Sequence, residues 1–307
     1  MPSMRQLEYF IEVVDSGSLR KAAQKLGVTQ PTLSVQLTAL EQTLGVTLLE
    51  RQRSASRATP AGRDLLPEAR ALLAQWRDLV ETAHLLSNDL ATTYRLGVPP
   101  TLGPYLLPTI LPPLHARFER LRLHVREQVP DSLIDGLENG DYDVIMGPIQ
   151  TNRDDIVAEP LFREPLLLAS GIDTLSENKQ NVSDRDLEGE NILVLEERHA
   201  LRREVAEICD RTGAIMNRDF EGTSLDTLRQ MVVMGMGSAL LPALYVRSEI
   251  HRPEELTVRQ FADRQLYREH FLLYRRMAPS RNFYRELGEL IREVVATQLA
   301  DTVIPIA

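Results

Sequence analysis

Apolar residues recur along the first sixty positions with the spacing of short helices. In MRQLEYFIEVVDSG, Leu7, Phe10, Ile11 and Val14 fall at i, i+3, i+4 and i+7, one face of a helix. Gly17 stops that helix, and Ser18 is suited to cap the next. LRKAAQKLG gathers Leu19, Ala22, Ala23 and Leu26 on one side and ends at Gly27. Thr29 can cap a third helix, whose first turn tolerates Pro31. In PTLSVQLTALEQTLG the stripe Leu33, Leu37, Leu40 and Leu44 is expected to be buried before Gly45 ends the helix. Two short helices joined by Gly27, Val28 and Thr29 predict a helix-turn-helix. VTLLERQRSASRATPAG then reads as a β-wing, strand-like at both ends with an arginine-bearing centre.

The period changes at residue 62. Leu65, Ala69, Leu72, Trp76, Leu79, Ala83, Leu86 and Leu90 alternate spacings of four and three, the a/d seam of a coiled coil, with Pro67 in the first turns. A seam this narrow has to pair, so 62–92 is expected to be a linker and dimerisation helix. From 93 onward, short strand-like runs alternate with amphipathic stretches. YRLGVPPTL, LRLHVREQ, DVIMGPI, ENILVLEE, RDFEGT, SALLPAL, LTVRQF and REHFLLYRR predict strands. PYLLPTILPPLHARF, SLIDGLENGDY, ALRREVAEICDRTG, SLDTLRQMVVMGMG and NFYRELGELIREVVATQL predict helices. Such alternation argues for α/β with mostly parallel strands, as one large domain or two lobes around a cleft. The expected organisation is therefore a helical head (1–61), a linker helix (62–92) and an α/β domain (93–307).

Charge sharpens this division. Residues 1–60 hold seven Lys/Arg against five Asp/Glu, a net of +2, and the remainder holds 28 against 39, a net of −11. A weakly basic head on an acidic body suggests a nucleic-acid partner for the head alone. Gln30, Ser34, Gln36 and Thr38 lie opposite the apolar stripe of the third helix. They are neutral donors and acceptors small enough to meet base edges and phosphates in a major groove. Arg51, Arg53 and Arg57 of the wing are placed to lie along phosphates. The competing reading is a small helical interaction domain with a solvated polar face.

Other classes find little support. The six histidines show no metal-ligand spacing, and there is no G-x-S-x-G, Walker or G-x-G-x-x-G motif, so neither an enzyme nor a bound cofactor is expected. The segment MPSMRQLEYF does not read as a secretory signal, and no apolar run approaches the roughly 20 residues of a membrane span. One cysteine cannot form an internal disulfide, which fits a cytoplasmic protein.

These residues resemble the LysR-type transcriptional regulators. The resemblance rests on SLRKAAQKLGVTQPTLSVQLTALEQTLGVTLLER…TPAG, with its Ala-Ala pair, Gln-Pro opening and closing Thr-Pro-Ala-Gly. Leu49 stands where the family usually has Phe. The resemblance implies a winged helix-turn-helix, a long linker helix and a two-lobed α/β effector domain like the periplasmic binding proteins. It further implies a homodimer or homotetramer on double-stranded DNA, with an effector altering DNA bending and contact with RNA polymerase. DNA-facing positions would be Thr29, Gln30, Pro31, Ser34 and Gln36, with the wing arginines.

Within the effector domain, PTLGPYLLPTILPPLH, VLEERHALRREVAEIC, GTSLDTLRQMV and SALLPAL are similar to the peroxide-responsive OxyR branch. That branch uses a His, a reactive Cys and a resolving Cys. His199 matches the His, Cys209 the resolving Cys, and Ala200 stands where the reactive Cys would be. Thr101 and Arg275 match a Thr and an Arg that bind peroxide there, and Pro130 replaces a second Thr. Peroxide oxidation needs a thiolate, and Ala200 has no sulfur. Ala200 is either the natural residue of a diverged relative or a substitution that holds the reduced form. Cys209 itself completes the apolar helix face of Leu201, Val205 and Ile208, where Cys packs as a small hydrophobe; the alternative is a lone redox thiol.

Three elements are expected to converge on a ligand: Thr101, Leu102 and Gly103 before one helix, Thr223 and Ser224 before another, and Met146 and Gly147 at the end of a buried strand. With His199, Ala200 and Arg275 they are the candidate effector site, against a reading in which Ser and Thr merely cap helices. The function expected is an OxyR-like LysR-type regulator. Its alternatives are a regulator responding to a small organic anion, and a ligand-binding or enzymatic protein without DNA binding.

Overall fold

Three apolar cores organise the chain, which the computed structural model describes over residues 2–51, 56–86, 93–171, 181–251, 255–262 and 266–306. Contacts divide it into one unit of Met1–Asp89 with Gly136–Asp141, and a second of Leu90–Asp135 with Tyr142–Ala307.

In the first unit, α1 (Met4–Ser16), α2 (Leu19–Lys25) and α3 (Gln30–Leu44) close over Phe10, Val13, Ala22, Leu33, Leu37 and Leu40. Local chemistry sets their ends. Ser3 and Gln6 form a reciprocal capping box on α1, and Gly17 ends it at φ 61. Thr29 Oγ1 accepts the Thr32 N–H at 3.3 Å at the start of α3. Ser18 occupies the N-cap of α2 without a side-chain cap bond. One expected core residue is displaced: Leu44 is 41% exposed, because α3 ends at Gly45 and its last turn lies beyond the buried stripe.

The wing is a two-stranded antiparallel ribbon, β1 (Leu49–Arg51) with β2 (Ser56–Ala58). Glu41 of α3 accepts the backbone N–H groups of Leu48 (2.9 Å) and Leu49 (3.1 Å), which ties the ribbon to the helix. Thr59 Oγ1 accepts the Gly62 N–H at 2.9 Å and donates to the Thr47 carbonyl at 2.6 Å. A Cβ on Gly62 would overlap the Leu48 carbonyl oxygen, so Thr-Pro-Ala-Gly is the joint at which the wing meets α4 (Pro60–Leu86).

The seam on α4 has two parts. Leu65 and Ala69 pack into the head core, whereas Leu72, Trp76 and Leu79 are 47, 47 and 59% exposed. The head therefore uses the first turns and leaves the later apolar stripe uncovered in the single chain. Leu90 lies outside the described residues.

The second unit begins with β3 (Thr93–Val98), α5 (Gly103–Arg117), β4 (Arg122–Glu127), α6 (Pro130–Glu138, which from Gly136 onward belongs to the first unit) and β5 (Val144–Gly147). Then come β6 (Ile156–Ser170), β7 (Asn181–Val182), β8 (Asn191–Leu195), α7 (Ala200–Thr212), β9 (Ile215–Gly222), α8 (Leu225–Val233) and β10 (Ser238–Pro242). It closes with α9 (Ala243–Glu249), β11 (Thr257–Phe261), β12 (Tyr267–Arg275), α10 (Arg281–Gln298) and β13 (Ile304–Pro305). One core gathers β3, β5, β12, α5 and α10, and another gathers β8, β10, α7 and α8. The sheet runs β4-β3-β5-β12-β6-β10-β8-β9, and β6 joins its two halves.

The expectation of mostly parallel strands is corrected by β6. The pairs β3–β4, β3–β5, β8–β9, β8–β10 and β7–β11 are parallel. Every pairing of β6, with β10, β11, β12 and β13, is antiparallel, as is β5–β12. Pro160 and Pro165, together with Glu159, Arg163 and Glu164, make IVAEPLFREPLLLAS look like a loop. In the structure Pro160 sits beside the β-bulge in the β12 pairing, and Pro165 sits where β6 exchanges β12 for β10, positions where a missing N–H does least harm. A second correction is α9: SALLPAL is not all strand, because Pro242 ends β10 and caps a helix at Ala243.

Candidate functional site

On the head, the outward face of α3 is polar with one exception. Gln30, Pro31 and Thr32 are exposed and Ser34 is partly so. Val35, which the periodicity argument passed over, is 65% exposed at the centre of this face. An apolar side chain off the Leu33–Leu37–Leu40 stripe was the available signal, and such a group suits contact with a thymine methyl. Gln36 differs from its neighbours: its Oε1 accepts from Gln6 Nε2 at 3.1 Å, so it ties α3 to α1. Thr29 caps the helix, and Arg57 projects from β2 into solvent. Arg53 lies outside the described residues, and of Arg51 the structure describes the backbone, in β1.

In the second unit, the predicted ligand residues separate into groups. Leu102, Gly103, Met146 and Gly147 are buried in packing. A Cβ on Gly103 would come within 2.6 Å of Val98, and one on Gly147 within 3.0 Å of Pro99. Ser224 Oγ caps α8 by accepting the Thr227 N–H at 3.2 Å. Arg275 donates to the Tyr142 carbonyl at 2.9 Å. His199 and Thr223 do meet, through a hydrogen bond of the imidazole to the Thr223 backbone. Burial, then the Arg198 charge, hold His199 below the usual histidine range, so its ring is neutral.

Thr101 leads to a network that sequence reasoning missed. Arg268 donates to Thr101 Oγ1 (3.1 Å), to the Thr101 carbonyl (3.2 Å) and to Glu164 Oε2 (2.7 Å). Glu164 Oε2 also faces His270 Nε2 at 2.8 Å, and Glu164 Oε1 accepts the Leu244 N–H at 2.9 Å. The side chains of Glu164, Arg268 and His270 are wholly inaccessible. Burial raises the Glu164 pKa, but Arg268 and His270 outweigh it and hold the carboxyl at about 2. Burial pushes His270 down despite the carboxylate, so the contact is a hydrogen bond donated by a neutral imidazole.

This network borders a cleft of about 570 Å³. From α7 come Ala200, Arg203, Glu204 and Glu207. From β12 come Tyr267, Arg268 and Glu269, and Pro148 and Gln150 lie beyond β5. The Ala200 methyl thus faces open space. Glu204 Oε2 is buried there without a hydrogen-bond partner among the described residues, and burial, only partly opposed by Arg268, pushes its carboxyl up. Cys209 lies elsewhere. It packs in the apolar core with Leu201, Val205 and Ile208, and burial, then Asp210, push its thiol up. A buried protonated thiol is a poor nucleophile.

Comparison with known proteins bears on both units. Residues 4–63 match the model of the bacterial regulatory helix-turn-helix proteins of the lysR family, and residues 87–296 match the LysR substrate binding domain. The chain belongs to the LysR family. Among curated proteins this LysR-type regulator is 37% identical over 290 residues to the DNA-binding transcriptional dual regulator OxyR of Escherichia coli, covering 94% of this chain and 95% of that one. Among solved structures it resembles a cysteine-to-aspartate variant of full-length OxyR from Pseudomonas aeruginosa. There the TM-score is 0.75 and the identity 31%, over 94% of each chain. It also resembles a hydrogen peroxide-bound cysteine-to-serine variant of Corynebacterium glutamicum OxyR, at TM-score 0.64 and 28% identity over 98% of this chain and 94% of that one. The regulatory unit is thus OxyR-like in build. In this LysR-type regulator no described helix is long and apolar enough to cross a membrane.

Proposed function

We propose that this LysR-type regulator binds double-stranded DNA as a homodimer or homotetramer and controls transcription through RNA polymerase, by a signal that does not pass through a disulfide. The head supports the DNA reading: Gln30, Pro31, Ser34 and Val35 offer a groove-sized surface, and Arg57 lies on the adjoining wing. The uncovered stripe Leu72, Trp76, Leu79 supports pairing of two heads, which a two-fold operator requires.

The observation that carries the signalling part is the placement of Ala200 and Cys209. Ala200 borders the cleft with no sulfur, while Cys209 is 3% exposed inside an apolar core. The cleft is therefore read as the seat of a reversibly bound effector. The test is fluorescence anisotropy on DNA from the protein's own promoter region, with and without hydrogen peroxide. Wild-type protein should bind that DNA with an affinity that peroxide leaves unchanged. A peroxide-dependent shift that disappears in Cys209→Ala would overturn the disulfide-free reading and make Cys209 a redox thiol.

A further inference from the structure

The lining of the cleft has a charge pattern that selects among effectors. Arg268 is neutralised by Glu164, at 2.7 Å. Glu269 is likewise held by Arg163, at 3.1 Å. What remains for a ligand is Arg203 at the exposed mouth, Glu207 beside it, and the buried Glu204 Oε2 that accepts no hydrogen bond from any described group. A buried acceptor left without a donor is costly, and a ligand that supplies the donor recovers that cost. An organic anion would instead bring a further negative charge against Glu204 and Glu207, and would compete with Glu204 for the charge of Arg203 at the mouth.

We propose that the cleft beside Ala200 binds a small cationic amine, whose ammonium group donates to Glu204 Oε2 with Glu207 adding long-range attraction. The proposal rests on the reading of this cleft as an effector site. The missing sulfur makes room: the ligand occupies the space that the Ala200 methyl leaves open, one helical turn from Glu204 on the same face of α7. Buried amine binding is familiar chemistry for a carboxylate, because a charge-assisted N–H···O bond in a partly dry site is roughly twice as strong as a neutral one.

The experiment uses the full chain, with ethanolamine and 1,4-diaminobutane as cationic probes and acetate and glutarate as anionic ones, at matched ionic strength. Thermal shift and calorimetry should show saturable stabilisation by at least one amine at about 10 mM or below, and none by either acid. Glu204→Gln should weaken amine binding at least tenfold, and Ala200→Leu, which fills the space beside the carboxyl, should abolish it. Glu119→Gln, at an exposed position outside the cleft lining, should bind amine as the wild type does. Circular dichroism of each variant, and Glu204→Asp with an intermediate affinity, separate lost binding from lost folding. Stabilisation by the acids rather than the amines, no response to either amine, or full amine affinity in Glu204→Gln would each overturn the proposal. Regulator function is judged separately, by DNA binding measured without any amine, so a failed amine titration leaves that reading intact and failed DNA binding leaves the amine result intact.

Discussion

In the head, the side chains removed from water are Phe10, Val13, Ala22, Leu33, Leu37 and Leu40, and the groups read as meeting DNA stay on the outside of α3 and the wing. In the regulatory unit, Glu164, Arg268 and His270 are packed into the sheet with no exposed side-chain surface, and Arg268 also borders the cleft. The difference separates two ways of joining stability to function. The head can exchange its contact residues without disturbing its core, because the two sets share no side chain. The regulatory unit cannot, because the Arg268 guanidinium that holds Glu164 and Thr101 hangs, fully buried, from a strand that forms one wall of the cleft. A ligand at that cleft therefore rests against a strand whose buried side chains stabilise the sheet.

The strongest way to break this comparison is Glu164→Ala. It strands the Arg268 charge and removes the acceptor of the His270 and Leu244 N–H groups. Loss of one partner of a buried pair costs about 3–5 kcal/mol, to be read from urea unfolding. A loss below about 1 kcal/mol would mean that the network is replaceable by water. The pH dependence has the same origin. Glu164 is held at about 2, below its ordinary 4.5, so its contribution is complete above pH 4.5 and disappears as pH falls toward 2. His270 is also held down, so the unfolded chain takes up protons that the folded chain refuses as pH falls through 6.5. Wild-type stability should decline on the acid side in both windows, and Glu164→Ala should lose the lower one.

In the head the comparable change is Leu37→Ala, a fully apolar lesion. It should cost about 2–5 kcal/mol. Amide exchange should locate the loss in α1–α3 and leave β6 and β12 protected as in the wild type. Loss of protection in β6 as well would show that the two units unfold together, and the comparison would then concern one cooperative block.

The two units also differed in how far they could be read from sequence. α1 and α3 are periodic, and glycines and capping residues mark their ends, so pattern alone located them within a few residues. The regulatory unit hid its central strand. β6 carries two prolines and three charges, features that argue for a loop until the partners are known: the bulge opposite Pro160, the strand exchange at Pro165, and Arg268 opposite Glu164. Residues 164 and 268 are distant in sequence, and no local period links them. For the same reason the bond from Arg268 to Thr101 could not be read from sequence. Glu204 escaped notice because Arg203-Glu204 on a charged helix looks solvated; only the tertiary structure buries the carboxyl. In EERHALRREVAEICD the Cys209 face was legible from its i, i+4, i+7, i+8 spacing, and the thiol does lie in the core.

Smaller effects test the claim that head surface and head core are independent. Gln30→Ala with Ser34→Ala should leave the unfolding midpoint within about 0.5 kcal/mol of wild type, as surface changes do. Specific DNA affinity should fall by roughly 1–3 kcal/mol per lost base contact, with nonspecific affinity kept. Unchanged specific binding would move recognition off α3.

Arg57→Ala should give the smallest and most selective change. Arg57 is exposed on β2, and its backbone pairs with Glu50 of β1, so truncation leaves the ribbon standing. If the guanidinium lies on a phosphate, its loss weakens binding to all sequences alike. It also lowers the slope of log affinity against log salt by about one contact. A base-reading arginine would behave otherwise, with discrimination at one position reduced along with affinity. Anisotropy titrations at several salt concentrations, on operator and on scrambled DNA, distinguish the two. Equal weakening on both DNAs keeps the wing as a positioning element and leaves α3 as the reader; unequal weakening would transfer part of the reading to the wing and end the division of labour drawn here within the head.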